Sequence, residues 1–178
     1  MLWLRTKQIP ALYRRIIDPL IATARAFLED GHSLDPVAIV GNSSKDQGST
    51  VRINFGDDEA KARSARAIQT AASEINADFI LTIMEAWGLP KDMVDRHQEI
   101  LDRYGAIANS PYKIDAVSFA LELRRGIWTA QLPIMPKDPV NKTRTFGEVT
   151  LKFVDSAHGL ARLLPVSGNS PSSVLSRK

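Results

Sequence analysis

A carboxylate that directly follows a long apolar segment is the first candidate for chemistry in this chain. The segment from Phe79 to Met84 is almost continuously apolar, and Glu85-Ala86-Trp87 comes next. A carboxylate at the end of a buried strand has a raised pKa unless it meets a cation or backbone donors, and a neighbouring tryptophan can wall a pocket. In the structural alternative, Glu85 pairs with an arginine at the rim of a sheet and Trp87 covers the edge of the core. The sequence favours this structural role.

A second group of charged residues surrounds the next apolar segment. Lys113 and Asp115 stand at its start, and Glu122-Leu123-Arg124 ends it. Asp115 and Glu85 could hold Mg²⁺ while Lys113 or Arg124 positions the attacking water, as in metal-dependent hydrolases and nucleases. Because Asp115 and Glu122 are seven residues apart, the two-residue period of a strand puts them on opposite faces. The candidate catalytic residues are Glu85, Asp115 and Lys113, and the candidate binding residues are Trp87 and Arg124.

Several other kinds of site have no sequence signature. The chain has no cysteine, which excludes thiol catalysis, thiolate zinc sites and disulfides, and its histidines lack ligand partners at metal-binding spacing. No serine-hydrolase elbow or dinucleotide-binding glycine motif is present. The loop over residues 41–49 contains glycines and Lys45, but in the wrong order for a P-loop. The sequence therefore predicts no metal-ligand set and identifies no cofactor.

The elements that carry these residues are predicted by hydrophobic periodicity. Apolar residues alternate over Ile114 to Leu123 and over Ile127 to Ile134, and only Arg124, Arg125 and Gly126 separate the two runs. This pattern indicates a long β-hairpin. The continuous apolar run before Glu85 predicts a central strand that is buried on both faces.

The other elements complete an α+β pattern. A helix begins near Ile9 and either kinks or divides at Pro19, and Asp57 or Asp58 caps a second helix. Prolines after the hairpin exclude a central strand there. The remaining predicted elements are strands over 37–40, 50–55, 148–154 and 159–164 and a short helix over 91–104. We predict a mostly antiparallel sheet of about six or seven strands with two or three helices packed on one face, in unknown strand order.

Size and composition indicate a single domain. The chain has 178 residues, of which 44% are hydrophobic and 24% charged. We expect one α+β domain over 1–165 and a flexible tail over 166–178, because the tail is rich in serine and poor in apolar residues. The chain lacks a signal-like start and an apolar run long enough to cross a membrane, so we expect a soluble, cytoplasmic protein without membrane contact.

The charge distribution gives little support to nucleic-acid binding. Lys and Arg number 23 against 20 Asp and Glu, so the net charge is only +3 although the pI is about 9.3. Phosphate binding requires several cations on one surface. The basic clusters are interleaved with acids and lie at 14–15, 61–66, 124–125 and 142–144.

The middle of the chain resembles a group of prokaryotic proteins of unknown function. The shared features are an apolar strand ending in Glu85-Ala86-Trp87, a turn through Ser110 and Pro111, and a Gly126-centred hairpin ending at Ile134. Lys113 and Asp115 stand where that group has Arg and Glu. The resemblance implies a bacterial or archaeal cytosolic origin and singles out Glu85, Trp87, Lys113 and Asp115, but it implies no reaction.

Three functions are compatible with the sequence. The leading interpretation is a non-catalytic binding or assembly module that contacts a protein partner, or a second copy in a homo-oligomer, through sheet edges, the hairpin and its helical cover. The first alternative is a metal-dependent hydrolase or nuclease using Glu85 and Asp115. The second is a weak nucleic-acid binder using Arg14, Arg15 and the Lys61–Arg66 stretch. Whether the protein is an enzyme stays open.

Overall fold

The computed structural model of this protein describes residues 7–154 and 162–165. The first long helix precedes the sheet, and the second connects two of its strands. A shorter helical region precedes the long hairpin. In chain order the elements are α1 (Ala11–Glu29), β1 (Val37–Asn42), β2 (Gln47–Arg52), α2 (Asp58–Glu74), β3 (Phe79–Gly88), a 3-10 helix (Lys91–Arg96), α3 (His97–Tyr104), a second 3-10 helix (Ile107–Asn109), β4 (Ile114–Leu123), β5 (Gly126–Asp138), β6 (Thr143–Phe146) and β7 (Lys152–Phe153).

The seven strands form an antiparallel sheet in the order β2-β1-β3-β4-β5-β6, and β7 pairs with β5. This confirms the predicted α+β fold class and number of strands. Within the described ranges, no helix is long and apolar enough to cross a membrane.

The predicted central strand and hairpin are both confirmed. β3 lies between β1 and β4, and its first residues are buried on both faces. The β4–β5 hairpin turns at Arg124 and Arg125, with Leu123 opposite Gly126. Because cross-strand partners share a face, this register decides which polar side chains meet at the ends of the sheet.

The two long helices lie on opposite faces of the sheet, whereas the sequence predicted one face. Helix α1 buries Ile17 and Leu28 in a cluster with Leu81 and Phe119, and we call this side the α1 face. Helix α2 buries Ile68 and Ala72 in a second cluster that includes strand residues 38, 40 and 80, on the α2 face. Strand β1 is apolar at both alternating sets of positions, so each of its faces can accept a helix.

Helix α1 continues through Pro19 without dividing. Proline removes one backbone hydrogen bond, to the carbonyl of Arg15, but both residues lie on the exposed side of the helix. Water can therefore satisfy that carbonyl. One turn further along the helix, the hydroxyl of Thr23 donates to the Pro19 carbonyl at 2.9 Å.

The C-terminal strands differ from the prediction. Strand β5 runs through Pro133 and Pro136, but pairing with β4 ends at Pro133 and pairing with β6 begins at the next residue. Each proline thus has a partner strand on one side only, as its missing amide requires. The predicted strand over 148–154 is reduced to β7. The predicted strand over 159–164 lies partly outside the described residues, and its described part is not a strand; the predicted tail over 166–178 lies outside them entirely.

Candidate functional site

Four of the five predicted site residues meet at one end of the sheet, on the α1 face. Trp87 and Asp115 are cross-strand partners on β3 and β4, and Glu85 precedes Trp87 by one strand period. The ammonium of Lys113 lies 5.0 Å from the centroid of the Trp87 ring. Arg144 of β6 joins them through Glu85. We call these five residues the rim cluster.

Glu85 is held by an arginine and by a backbone amide. Its two carboxylate oxygens accept from the two terminal nitrogens of Arg144 at 2.9 and 3.1 Å, and one of them also accepts from the Leu34 amide at 2.8 Å. The pKa of Arg144 is raised mainly by the hydrogen bond to Glu85, and the charge of Asp115 raises it further. This pairing with an arginine at the sheet rim is the structural alternative given above for Glu85. Glu85 is therefore an anchor of the rim.

This arrangement leaves little room for a cation at Glu85. A metal ion bound there would have to displace the Arg144 guanidinium, because both oxygens of the carboxylate already accept from it. Across the part of the chain that the structure describes, no three His, Asp or Glu side chains are placed to hold a metal ion together. The geometry thus gives the metal-dependent alternative less support than the binding alternative.

Trp87 and Lys113 form the outer part of the rim cluster. The Trp87 side chain is 53% exposed, so it does not cover the core as the structural alternative supposed. Lys113 packs over the ring and donates to the Ala108 carbonyl at 2.9 Å, which holds it in place. Asp115 is exposed beside them. Their roles in binding or catalysis stay predictions.

Arg124 lies away from the rim cluster. It stands in the β4–β5 turn, at the opposite end of β4 from Asp115. Its carbonyl accepts from Arg162 at 3.1 Å. Arg124 therefore cannot share a site with Glu85 and Asp115, and pairing it with them in a hydrolase site was wrong.

Glu122 lies on the α2 face, which confirms its predicted separation from Asp115. Its nearly buried carboxylate accepts from Arg162 Nε at 2.8 Å and from the amides of Leu163 and Leu164 at 2.9 and 3.1 Å. These bonds fasten residues 162–165 to the sheet. The acid of the Glu122-Leu123-Arg124 segment is thus a structural anchor.

The feature that sequence reasoning missed is an apolar groove between α1 and the β1–β2 hairpin, on the α1 face. Helix α1 packs against β3, β4 and β6, which leaves Val37 and Ile39 of β1 only partly covered. Two cavities of about 340 and 290 Å³ lie along this gap and share Leu20, Thr23 and Ile39. We call their union the α1 groove.

The walls and floor of the α1 groove come from separate elements. Helix α1 forms one wall, β1 and β2 form the floor, and the loops at either end of β1 close the two ends. The residues that matter below are Leu20 and Phe27 on the wall, Ile39, Gly48, Thr50 and Arg52 on the floor, and Leu34, Asp35 and Asp46 at the ends.

Hydrogen bonds hold both ends of the groove in place. At one end, Glu85 accepts from the Leu34 amide, and its partner Arg144 donates to the His32 carbonyl at 3.4 Å. At the other end, Asp78 accepts from the Tyr13 hydroxyl at 3.0 Å and from the Ser43 amide and hydroxyl. Burial raises the pKa of the Tyr13 phenol, and the hydrogen bond to Asp78 raises it further. The groove is therefore preformed.

The sequence did contain one signal for the groove, which is a second apolar stripe on helix α1. The buried stripe consists of Ile17, Ile21, Ala24 and Leu28, and the groove stripe of Ile16, Leu20 and Phe27 lies beside it. One helix packed on one sheet needs only one such stripe. The sequence interpretation placed Leu20, Ile21, Phe27 and Leu28 together on one amphipathic helix and did not separate two stripes.

The basic clusters do not form one surface. Arg14 pairs with Asp18 at 3.3 Å on α1, whereas Arg63 pairs with Glu59 at 2.7 Å on α2. The two helices lie on opposite faces of the sheet. Because phosphate binding needs uncompensated cations on one surface, this geometry gives nucleic-acid binding little support.

Comparison with known proteins supplies no functional assignment. No family model matches this chain, and no curated protein or solved structure is significantly similar to it. The resemblance to the prokaryotic group stays a prediction. Functional inference here depends on the geometry of the groove and the rim cluster.

Proposed function

We propose that this protein is a non-catalytic binding module that holds an apolar segment of a partner protein in the α1 groove. The observation that carries the proposal is the uncovered apolar floor beside α1. Ile39 and Val37 are only partly buried, and Phe27 on the adjacent wall is 50% exposed. Contiguous exposed apolar surface of this kind is typical of interaction sites.

The shape of the groove also supports binding. Each of its two cavities has a volume near the lower end of the range for ligand sites, which is about 300–1,000 Å³. Both ends are held by hydrogen-bonded clusters, so a partner need not order the groove when it binds. Such preorganisation favours affinity because less conformational entropy is lost.

The rim cluster supports a positioning role instead of catalysis. Glu85 and Arg144 neutralise each other, and Glu85 holds the backbone amide of Leu34, a residue that lines the groove. The proposal thus gives Glu85 a function that agrees with its contacts. It also connects the predicted site with the groove.

The test is a peptide selection against the whole protein and two tryptophan variants. Random peptides displayed on phage are enriched on the wild-type chain, and their dissociation constants are then measured by fluorescence anisotropy. Thr50→Trp fills the groove from the floor. Ser49→Trp is the matched control, because Ser49 is the preceding exposed residue of β2 and points to the α2 face.

We expect Thr50→Trp to weaken the selected peptides by tenfold or more, or about 1.4 kcal/mol, and Ser49→Trp to leave them unchanged. Gly48→Leu provides a second blocked variant, because a Cβ there meets only the Val40 carbonyl oxygen, at 3.6 Å. Circular dichroism checks that each variant is folded. The proposal fails if no peptide is enriched or if the enriched peptides bind both blocked variants as tightly as the wild type.

A further inference from the structure

The two edge strands of the sheet differ in whether they can accept another strand. Strand β6 has only four residues, and its pairing with β5 shifts in register between Pro136 and Asp138. A short strand and an irregular register both keep an edge from pairing with another chain. Strand β2 has neither protection, because its six residues pair with β1 in unbroken register and include no proline. The outer edge of β2 is therefore the open one.

Three residues of β2 point their backbone groups out of the sheet. The Ile53 amide donates to the Pro36 carbonyl at 2.9 Å, and the backbone direction alternates along an antiparallel strand. The amides and carbonyls of Gly48, Thr50 and Arg52 therefore face away from β1. Among the residues that the structure describes, no strand pairs with them. An added strand would meet a regular row of donors and acceptors.

Strand β2 is complementary to itself about a two-fold axis. Antiparallel pairing centred on Thr50 sets this residue opposite Thr50 of a second copy, and it sets Gly48 opposite Arg52. In this register all of the outward-facing residues find partners, and each such pair exchanges two hydrogen bonds. A second copy of the chain thus satisfies the whole open edge.

The charges at the two ends of β2 favour the same register. Asp46 directly precedes β2 and Arg52 ends it, so they lie about 20 Å apart at 3.3 Å per residue. Neither side chain has a hydrogen bond or ion pair with another described residue. Both line the α1 groove and therefore lie on one face. Because Gly48 has no side chain, Arg52 of one copy can cross it and reach Asp46 of the other, one strand period further.

The helices leave room for this arrangement. Helix α2 packs on β1 and β2, so two copies of α2 would lie two to three strand spacings apart, or about 10–14 Å. Packed helices need about 8–10 Å between their axes. Helix α1 packs against β3, β4 and β6, farther from the two-fold axis. Neither helix blocks the pairing of β2 with its copy.

We infer that this protein forms a two-fold homodimer through β2, with Thr50 at the axis and Arg52 paired with Asp46 of the second copy. Paired residues share a face, so both α1 grooves lie on the same side of one continuous sheet. Their floors join across the two β2 strands, and each copy supplies one helical wall of a shared trough. The inference goes beyond the proposed function and does not depend on it, because the dimer forms whether or not a partner occupies the trough.

Sedimentation of the full chain and its charge variants tests the ion pairs. A single strand pair is smaller than the interface of a permanent dimer, so we expect reversible association with a dissociation constant on the order of 10 µM. Arg52→Glu should raise this constant about tenfold, and adding Asp46→Arg to the same chain should restore it to within about threefold. Arg15→Glu is the matched control, because it makes the same change of charge on the exposed side of α1.

Single cysteines test the register. The chain has no cysteine, so a disulfide in a single-cysteine variant can form only between two copies. Thr50→Cys should form one under mild oxidation, because opposed Cα atoms of a hydrogen-bonded pair lie about 5.5 Å apart, within the range for a disulfide. Ser49→Cys is the control, since in this register the two copies of Ser49 are diagonal neighbours about 7–8 Å apart.

Three results would overturn the inference. The full chain could sediment as a monomer at ten times the expected dissociation constant, Arg52→Glu could leave the dimer unchanged, or Ser49→Cys could crosslink as readily as Thr50→Cys. A monomer that binds selected peptides as an added strand on β2 would assign the edge to a different partner. The two proposals fail separately, because a dimer that enriches no peptide refutes only the proposed function, and a monomer with a peptide in the groove refutes only the dimer.

Discussion

The ion pair between Glu85 and Arg144 allows a quantitative prediction of how much it stabilises the sheet rim. Glu85→Gln keeps an oxygen that can accept from the Leu34 amide but removes the charge and the paired geometry toward Arg144. Arg144→Gln removes the same interaction from the other side. The double variant lacks it altogether, so the three variants form a double-mutant cycle.

The expected coupling follows from the contacts and the exposure. Hydrogen bonds to charged groups contribute about 1.5–3 kcal/mol, and fully exposed ion pairs about 0–1 kcal/mol. The side chains of Glu85 and Arg144 are 26% and 31% exposed, which places the pair between these cases. We expect a coupling of about 1–2 kcal/mol, and a melting temperature for Glu85→Gln that is lower by about 2–8 °C.

The assay is urea unfolding of the four proteins, followed by circular dichroism. The pair Arg63–Glu59 is the matched control, because its oxygen-to-nitrogen distance is 2.7 Å but its side chains are 56% and 78% exposed. The same cycle there should give about 0.5 kcal/mol or less. A coupling for Glu85 and Arg144 no larger than the control value would show that the rim pair does not anchor the sheet.

The same variants separate positioning from catalysis. If Glu85 acts by holding the Leu34 amide, Glu85→Gln and Arg144→Gln should weaken groove peptides to a similar extent, by a few fold. A loss confined to Glu85→Gln would point to direct contact with the ligand and contradict the positioning role.

Three further predictions concern single anchors of the fold. Glu122→Gln should lower the unfolding free energy by about 1–3 kcal/mol, because it removes the charge of a nearly buried carboxylate that accepts from two amides and from the partly exposed Arg162, and unchanged urea denaturation would contradict this. Gly41→Ala should cost about 1–3 kcal/mol because an added Cβ would overlap the Phe79 ring, whereas Gly48→Ala on the facing strand should be nearly neutral in the same denaturation assay. The pKa of Glu29 is lowered from its ordinary value of 4.5, mainly by the hydrogen bond from Lys137 and next by that from Thr145; its stabilising effect is therefore present above pH 4.5 and lost as the pH falls below it, and Glu29→Gln should flatten thermal stability against pH in that acidic range.

Much of the fold followed from local patterns in the sequence. Strand alternation identified the β4–β5 hairpin and put Asp115 and Glu122 on opposite faces, because side-chain direction depends only on the two-residue period. The cap of α2 was equally local, since the Asp57 side chain accepts from the Ala60 amide three residues later. Such features depend on neighbouring residues and need no knowledge of strand order.

The tertiary structure decided what the predicted residues do. Glu85 meets Arg144 across 59 positions of sequence, and only the placement of β6 brings them together. The α1 groove exists because α1 packs against β3, β4 and β6 and covers β1 only in part, although β1 is apolar on both faces. Periodicity records which side of an element is apolar, but it cannot record which apolar surface another element leaves uncovered.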